Sequence, residues 1–531
     1  MNDVDYRILV KGKVKSFHAN MLKLYVERQT GMGCLDVVAV SAIDDDETDV
    51  HDVVMTHPGA TRSETYKDVK TGDKLNDRQL GQIKQILKEF DDVLSDLPGR
   101  TDVIEHDVEL TTSEPIRSKG YKIPFKTKEI IQTEVQTMLD LGVIERSKSP
   151  YSSPIVLVSK KDGTVRFCID FRKINKATVF DSEPMPELEG VFASMSGCTY
   201  FSKIDLTKGY WQIPLTDSAR ELTAFETPLG LFQYTVMPFG MVNSGATFCR
   251  MMRQVLGAVD NVNSFVDDVW MFTSDWESHL RTVREVFTRL RQAGLTVKPS
   301  KCLFGTDKVE CLGHTISGKG LEPNQEKIQS IVGAERPTTK KQIRSFLGMV
   351  GFYRRFIPRF SAIASPLTDL TKKGCPNKIK DWSHECEAAF ELLKQSVTNA
   401  PVLALPNFDK QFILQTDASA NGIGSVLLQG DISDRSPVAY ASKKLGNAQR
   451  NYSVIERECF AIVWAVEKFH RYLYGTEFII EVDHEPLSYL QSAKTLNSRL
   501  MRWALRLQPY RFRIVHIRGS DNVCADYLSR Q

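Results

Sequence analysis

The 531-residue sequence has no CxxC pair and no His/Cys cluster; its ten cysteines are scattered, which excludes a zinc module and argues for reduced thiols in an intracellular compartment. Long apolar runs are also missing. The longest, Phe460 to Val466, is too short to span a bilayer. The start, Met1-Asn2-Asp3-Val4-Asp5, has neither the basic residues nor the apolar stretch of a signal peptide, so no membrane partner is expected. There is no internal repeat, no Asp-Thr-Gly or Asp-Ser-Gly motif, and no low-complexity tract beyond one acidic stretch. The net charge is only +3, yet residues 41–100 carry 14 acidic against 8 basic side chains. That stretch is excluded as a nucleic-acid surface, and the rest of the chain is correspondingly basic.

What is present fills several cores: the chain is 42% hydrophobic, and its length suggests roughly three or four domains. Residues 1–100 read as a partly disordered N-terminal extension, with Asp44-Asp45-Asp46-Glu47 as solvated loop and one amphipathic helix near Asn76 to Phe90. Beyond Val103 the pattern tightens. A helix around Lys128 to Leu141 precedes Pro154 to Val158 and Val165 to Asp170, two strands of a basic hairpin turning at Lys160-Lys161-Asp162-Gly163-Thr164. A second architecture begins near Asn407, with a hairpin at a Ser-Ala-Asn-Gly turn, a long helix from Val454 to Tyr472, a strand from Glu477 to Asp483, and a final strand and helix over Phe512 to Ser529.

The strongest chemical signal is Asp267-Asp268 inside the apolar run Phe265 to Phe272, where like charges are expelled unless a cation holds them. Asp205 ends a second strand-like run, Tyr200 to Asp205. Successive strand residues point to opposite faces, so Asp267 and Asp268 share a site only at the bend of a hairpin. Asp205 and Asp267 are then the main ligands and Asp268 the supporting one, for a metal pair about 3.5–4 Å apart that activates a hydroxyl and stabilises a leaving pyrophosphate. The plainer reading is a solvated Asp-Asp turn.

Taken with Ser152 to Val158, Lys160 to Gly163, Asp170-Phe171-Arg172-Lys173-Ile174-Asn175-Lys176, Ile204 to Tyr210, Met237-Pro238-Phe239-Gly240 and Phe265 to Asp268, the region Asp107 to Lys373 resembles the reverse transcriptase of gypsy-type LTR retrotransposons. The resemblance implies a multidomain α+β fold: a right-hand polymerase of fingers, palm and thumb, followed by an α/β RNase H-like domain. The implied boundaries are fingers and palm over 101–318, thumb and connecting segment over 319–380, a tether over 381–406, and the RNase H-like domain over 407–531. By position, Lys160 or Lys161 and Arg166 resemble residues that grip the incoming triphosphate. Tyr210 matches a steric gate against the ribose 2′-hydroxyl. Phe239 and Gly240 resemble the nucleotide-pocket floor, and Leu312-Gly313-His314 the grip on the primer end. Thr339 to Phe360 interleaves cations with aromatics and looks like the thumb, where the cations neutralise duplex phosphates. One departure is Asn243-Ser244-Gly245-Ala246-Thr247-Phe248, where relatives carry Ala-Pro; loss of a helix-start proline is expected to loosen the local backbone.

In the C-terminal unit, Asp417, Glu456, Asp483 and Asp526 resemble the acidic tetrad of the RNase H domain, with Glu458 and Asp521 the nearest competitors for two of these places and read as exposed charges. His516, ten residues before Asp526, stands where retroviral relatives carry a mobile histidine, which many gypsy-type enzymes lack. Residues 16–28 resemble a short stretch of retroelement polyproteins with no chemistry of its own. The implied cofactor is Mg2+, two ions per site, with Mn2+ able to substitute. The implied partners are an RNA template, a DNA primer, RNA–DNA hybrid, dNTPs and other Gag and Pol products, with a homodimer left open, in cytoplasmic virus-like particles or the nucleus. Three readings compete: an active polymerase with RNase H, a retained nucleic-acid-binding protein without turnover, and a nuclease on a hybrid-binding scaffold. The chain is compatible with a processed product, a truncated copy or a host-retained fragment.

Overall fold

The computed structural model describes residues 62–121, 123, 127–159, 165–431, 434–483 and 498–518, together with an antiparallel pairing of the backbone segments Asp5–Val10 and Lys13–His18. The 16–28 stretch lies mostly outside the described residues, and nothing in the paired segments bears on a role for it.

Helix α1 (Asp77–Glu89) starts at Asn76, which forms a reciprocal capping box with Gln79, and buries Ile83, Ile86 and Leu87 at helical spacing. Fingers strands β1 (Ser153–Ser159) and β2 (Val165–Ile169) pair antiparallel. They share a five-stranded sheet with Ile144–Arg146, Phe225–Thr227 and Gly230–Tyr234. Helix α2 (Leu188–Ser194) leads into β3 (Tyr200–Asp205). Helix α3 (Ser244–Leu256), strands β4 (Val262–Phe265) and β5 (Asp268–Thr273), helix α4 (Trp276–Gln292) and strand β6 (Leu303–Thr306) complete the palm. The palm sheet runs β4-β5-β3-β6, with Lys70–Thr71 added at the β6 edge.

Strand β5 explains why its sequence reads as an unbroken apolar run. Val269 and Met271 enter the large core shared with the fingers, whereas Trp270 and Phe272 enter a second core shared with the thumb. Alternate side chains of one strand thus fill two cores. Residues 62–100, expected to belong to an extension, are packed into the first of them: Phe90 stacks on Phe287 at 5.4 Å, Leu94 is fully buried, and Lys70–Thr71 joins the palm sheet. Propensity alone does not reveal such long-range packing.

The thumb-side core gathers the small sheet β7 (Lys308–Cys311), β8 (His314–Ser317) and β9 (Gly320–Pro323) with helices α5 (Lys340–Phe352) and α6 (His384–Thr398). Helix α6 occupies the span expected as a tether and buries Cys386, Ala389, Phe390, Leu393 and Val397. Residue 403 closes against β9 through reciprocal backbone bonds between Leu321 and Leu403; a Cβ on Gly320 would stand 2.2 Å from the Leu403 carbonyl oxygen, so only glycine fits.

The C-terminal unit is a five-stranded sheet of β10 (Phe412–Ala418), β11 (Gly422–Gln429), β12 (Ser436–Lys444), β13 (Glu477–Val482) and β14 (Arg511–His516), in the order β12-β11-β10-β13-β14. Helices α7 (Val454–Lys468) and α8 (Ser498–Leu507) cover one face. The sequence reading did not anticipate α8, and the helix expected to end near Ser529 lies outside the described residues. This unit is tied to the rest at a three-way contact: Arg355 pairs with Glu189 of α2 at 3.0 Å, and the Tyr472 hydroxyl donates to the same carboxylate. Lys444 pairs with Asp369 at 3.2 Å, and the Ser361 amide donates to Ser442 Oγ at 3.0 Å. Among the described residues no helix is long and apolar enough to cross a membrane.

Candidate active sites

Asp205 and Asp268 stand directly opposite each other across the β3–β5 pairing. Like charges in that register repel, and Lys203, two residues back on β3, relieves the repulsion by meeting Asp268 at 2.8 Å. Asp267 occupies the β4–β5 turn, which is tightened by Val266 at φ +53, a left-handed conformation that a β-branched residue adopts only when its surroundings compel it. The Leu206 amide donates to the Asp267 carbonyl oxygen at 3.3 Å, tying this turn to the end of β3. The bend that the sequence demanded for adjacent aspartates is therefore present, and it is Asp268 that faces Asp205 in register.

Burial pushes the Asp205 carboxyl up to about 6, with Asp267 and Asp268 adding to the rise and Lys301 and Lys203 opposing it. A carboxylate so placed is short of positive charge, and a hard divalent cation such as Mg2+ suits the donor set. The sign of the shift gives a test. The stability contributed by this carboxyl is fully present below the ordinary carboxylate range and is lost as pH rises through about 6. In EDTA, Asp205→Asn should therefore stabilise the fold at pH 7.5, by an amount on the order of 2 kcal/mol and with a raised melting temperature, and the gain should vanish below pH 4. Scanning calorimetry across that range would sink the reading if the variant were less stable at pH 7.5.

Beside the aspartates, the Tyr210 ring lies 4.8 Å from Phe239 and edge-on to Phe248 at 5.3 Å. A Cβ on Gly209 would come within 2.9 Å of the Phe248 ring, so the glycine permits this seating. Phe239 is 53% exposed beside Gly240, and the Asn175 side chain clamps that turn, donating to the Gly240 oxygen at 2.8 Å and accepting from the Val242 amide at 3.0 Å. The motif that contains Asn175 carries no signal for this clamp, which depends on the fold bringing residue 175 to the turn at Gly240. Asn243, just before α3, accepts from the Asp181 amide at 3.1 Å and donates to the Val179 oxygen at 2.8 Å.

Arg166 is exposed on β2, while Lys160 and Lys161 lie outside the described residues. Leu312 and Gly313 form a partly exposed turn, both at positive φ. His314 departs from the expected grip: its ring is 3% exposed, packed among Phe192, Phe352, Tyr353 and Phe356, and burial pushes it down to about 4. A neutral, enclosed imidazole supports the turn from within.

In the C-terminal unit Asp417, Glu458 and Asp483 place ligand oxygens within 4.8 Å of one another. Among the described residues no other carboxylate group, Asp205, Asp267 and Asp268 included, meets that spacing; Asp268 is paired with Lys203 at 2.8 Å. Burial pushes Glu458 up to about 9, reinforced by Asp417 and Asp483. Glu456, expected in the tetrad, is corrected here. Its carboxylate caps α7 by accepting from the Ser453 amide at 2.9 Å and pairs with Arg499 at 2.8 Å, leaving Glu458 to face Asp417 and Asp483. Ser453-Val454-Ile455-Glu456 is a capping-box pattern, and that signal was legible in the sequence. His516 ends β14 opposite Val482, and its Nε2 is 3.2 Å from the Asp483 carbonyl oxygen. Asp526 and Asp521 lie outside the described residues.

Comparison with known proteins adds two family matches: residues 158–316 match the reverse transcriptase (RNA-dependent DNA polymerase) model, and residues 407–510 the RNase H-like domain found in reverse transcriptase. The chain is 39% identical over 470 residues to the retrovirus-related Pol polyprotein from transposon 297 of Drosophila melanogaster, covering 86% of this chain and 44% of that one. It is 34% identical over 464 residues to the Tf2-3 polyprotein of Schizosaccharomyces pombe, covering 85% and 34%. The chain thus spans less than half the length of the curated relatives it matches. Among solved structures, a foamy viral protease-reverse transcriptase in complex with dsDNA superposes with a TM-score of 0.79 at 24% identity, over 87% of this chain and 99% of that one. The right-hand polymerase fold followed by an RNase H-like domain is borne out.

Proposed function

We propose that the chain, with its reverse transcriptase and RNase H-like matches, belongs with the retrovirus-related Pol polyproteins, copies retroelement RNA into DNA and cleaves the RNA strand of the resulting hybrid. The observation that carries the reading is the pairing of Asp205 with Asp268 at the mouth of a strained turn, within one matched domain, alongside a second carboxylate cluster in the other. Asp205, Asp267 and Asp268 would hold Mg2+ at one site; Asp417, Glu458, Asp483 and Asp526 would hold it at the other. When bound, two divalent ions per site would supply activation of the attacking oxygen and neutralisation of the leaving group, with Mn2+ able to substitute.

The chain's own side chains do the positioning. Lys160 or Lys161 and Arg166 would grip triphosphate oxygens, the Leu312-Gly313 turn would seat the primer end, and Phe239 and Gly240 would floor the pocket. Tyr210 would exclude a ribose 2′-hydroxyl, and His516 would move a proton beside Asp483. The partners are an RNA template, a DNA primer, their hybrid and dNTPs, with other Gag and Pol products and a second copy of the chain as further candidates. The setting is intracellular, in cytoplasmic virus-like particles and the nucleus.

Primer extension on an RNA template with Mg2+ and labelled dNTPs tests the proposal directly; no incorporation by a folded preparation would reject it. A sharper expectation concerns Tyr210→Val. Opening the gate should raise the ratio of ribo- to deoxynucleotide incorporation about 100-fold while lowering kcat/KM for dNTPs less than about 10-fold. An unchanged ratio removes Tyr210 from this role.

A further inference from the structure

Between the thumb and the C-terminal unit lies a solvent-open cavity of about 350 Å3 whose lining is dominated by cations: Arg354 from the thumb, Lys443 and Lys444 at the end of β12, and Lys468 in the last turn of α7, with Trp464 and Ser442 in the wall. We propose that this cavity is an anion site that takes a phosphate group. Neither catalytic cluster contributes to it, and the proposal does not depend on the polymerase reading.

The argument is one of unspent charge. Neighbouring cations at this seam are matched, Arg355 by Glu189 at 3.0 Å and Lys444 by Asp369 at 3.2 Å. Arg354, Lys443 and Lys468 have no ion pair among the described residues. Arg354 reaches only the Ser442 carbonyl oxygen, at 3.4 Å, and lies 5.4 Å from the Phe360 ring; the Lys443 ammonium sits 5.1 Å from the Phe460 ring. Burial pushes Lys468 down, and Arg354, Arg471 and Arg355 push it further, against Glu189. Burial likewise lowers Arg354. Gathering cations from two structural units around one solvent-open concavity builds a positive potential that a bound anion would neutralise, and a phosphate carries the charge and acceptor geometry that both guanidinium and ammonium groups match. That phosphate belongs either to a nucleic-acid backbone or to free pyrophosphate.

The full chain in EDTA, where divalent-dependent binding elsewhere is silent, allows both sources to be measured. Sodium pyrophosphate is titrated calorimetrically, and binding of a labelled RNA–DNA hybrid is followed by anisotropy across KCl concentrations. Lys443→Gln/Lys468→Gln should weaken pyrophosphate at least about 10-fold, or lower the slope of log K against log salt by roughly 1 to 2, while Lys443→Arg/Lys468→Arg should keep wild-type behaviour. Loss of pyrophosphate binding with an unchanged slope assigns the site to a free anion; a reduced slope assigns it to the backbone. Lys468→Gln alone, in the last turn of α7, should move the same readout partway and serves if the double variant melts early. If the glutamine variants change neither quantity, or the arginine pair changes it as much as they do, the site does not exist.

Discussion

Asp267→Asn is expected to eliminate DNA synthesis, with kcat falling by about 10³-fold or more, a loss of roughly 4 kcal/mol in transition-state stabilisation. The amide keeps the size of the carboxylate and suits the tight turn beside Val266, so the fold should survive. What is lost is the charge that a hard cation requires, at the position the turn brings to the end of β3. RNA cleavage on a preformed hybrid should stay within about two-fold of wild type, because the second carboxylate cluster sits in a different sheet. Single-turnover primer extension and gel analysis of the RNA strand measure both activities on one preparation. Joint loss of the two would contradict separate sites, and retention of synthesis within ten-fold would remove Asp267 from the chemistry.

Glu458→Gln should do the reverse and carry an additional signature. Cleavage of the RNA strand should fall about 10³-fold while primer extension persists. In metal-free buffer the variant should also be more stable than the wild type. Because burial and the two aspartates push Glu458 up to about 9, its stabilising contribution is complete below the ordinary carboxylate range and is lost progressively as pH rises toward 9. The stability gap should therefore be absent near pH 4 and widen with pH. Added Mg2+ should stabilise the wild type and not the variant. Glu456→Gln supplies the contrast: it removes a helix cap and a partly exposed ion pair, worth about 1 kcal/mol, and should leave cleavage within a few-fold. If Glu456→Gln abolishes cleavage and Glu458→Gln does not, the geometric assignment is reversed.

These two glutamates also mark where sequence reasoning ran short. Asp205, Asp267 and Asp268 are legible because charge inside a strand pattern is costly and therefore informative, whereas Asp417 and Asp483, uninformative singly, are legible only through the resemblance of the set to the RNase H acidic tetrad. Glu456 and Glu458 sit on one helix, and choosing between them needs the capping box at Ser453, whose reciprocal bonds commit Glu456 to the helix start. Helix α6 and residues 62–100 were read as tether and extension because their order comes from distant partners, such as Phe390 against Phe346 at 4.5 Å and Phe90 against Phe287. His314 was drawn into the grip by its neighbours in sequence, while its burial depends on aromatic rings about forty residues away.

The contact of Glu189 with Arg355 and Tyr472 joins palm, thumb and C-terminal unit through one carboxylate. Held together during synthesis, that junction would act as a ruler: the first nick in the copied strand would trail the growing end by a fixed count of nucleotides, and fragment lengths would form a narrow ladder. Cutting the junction at Glu189 would blur the ladder without silencing either blade.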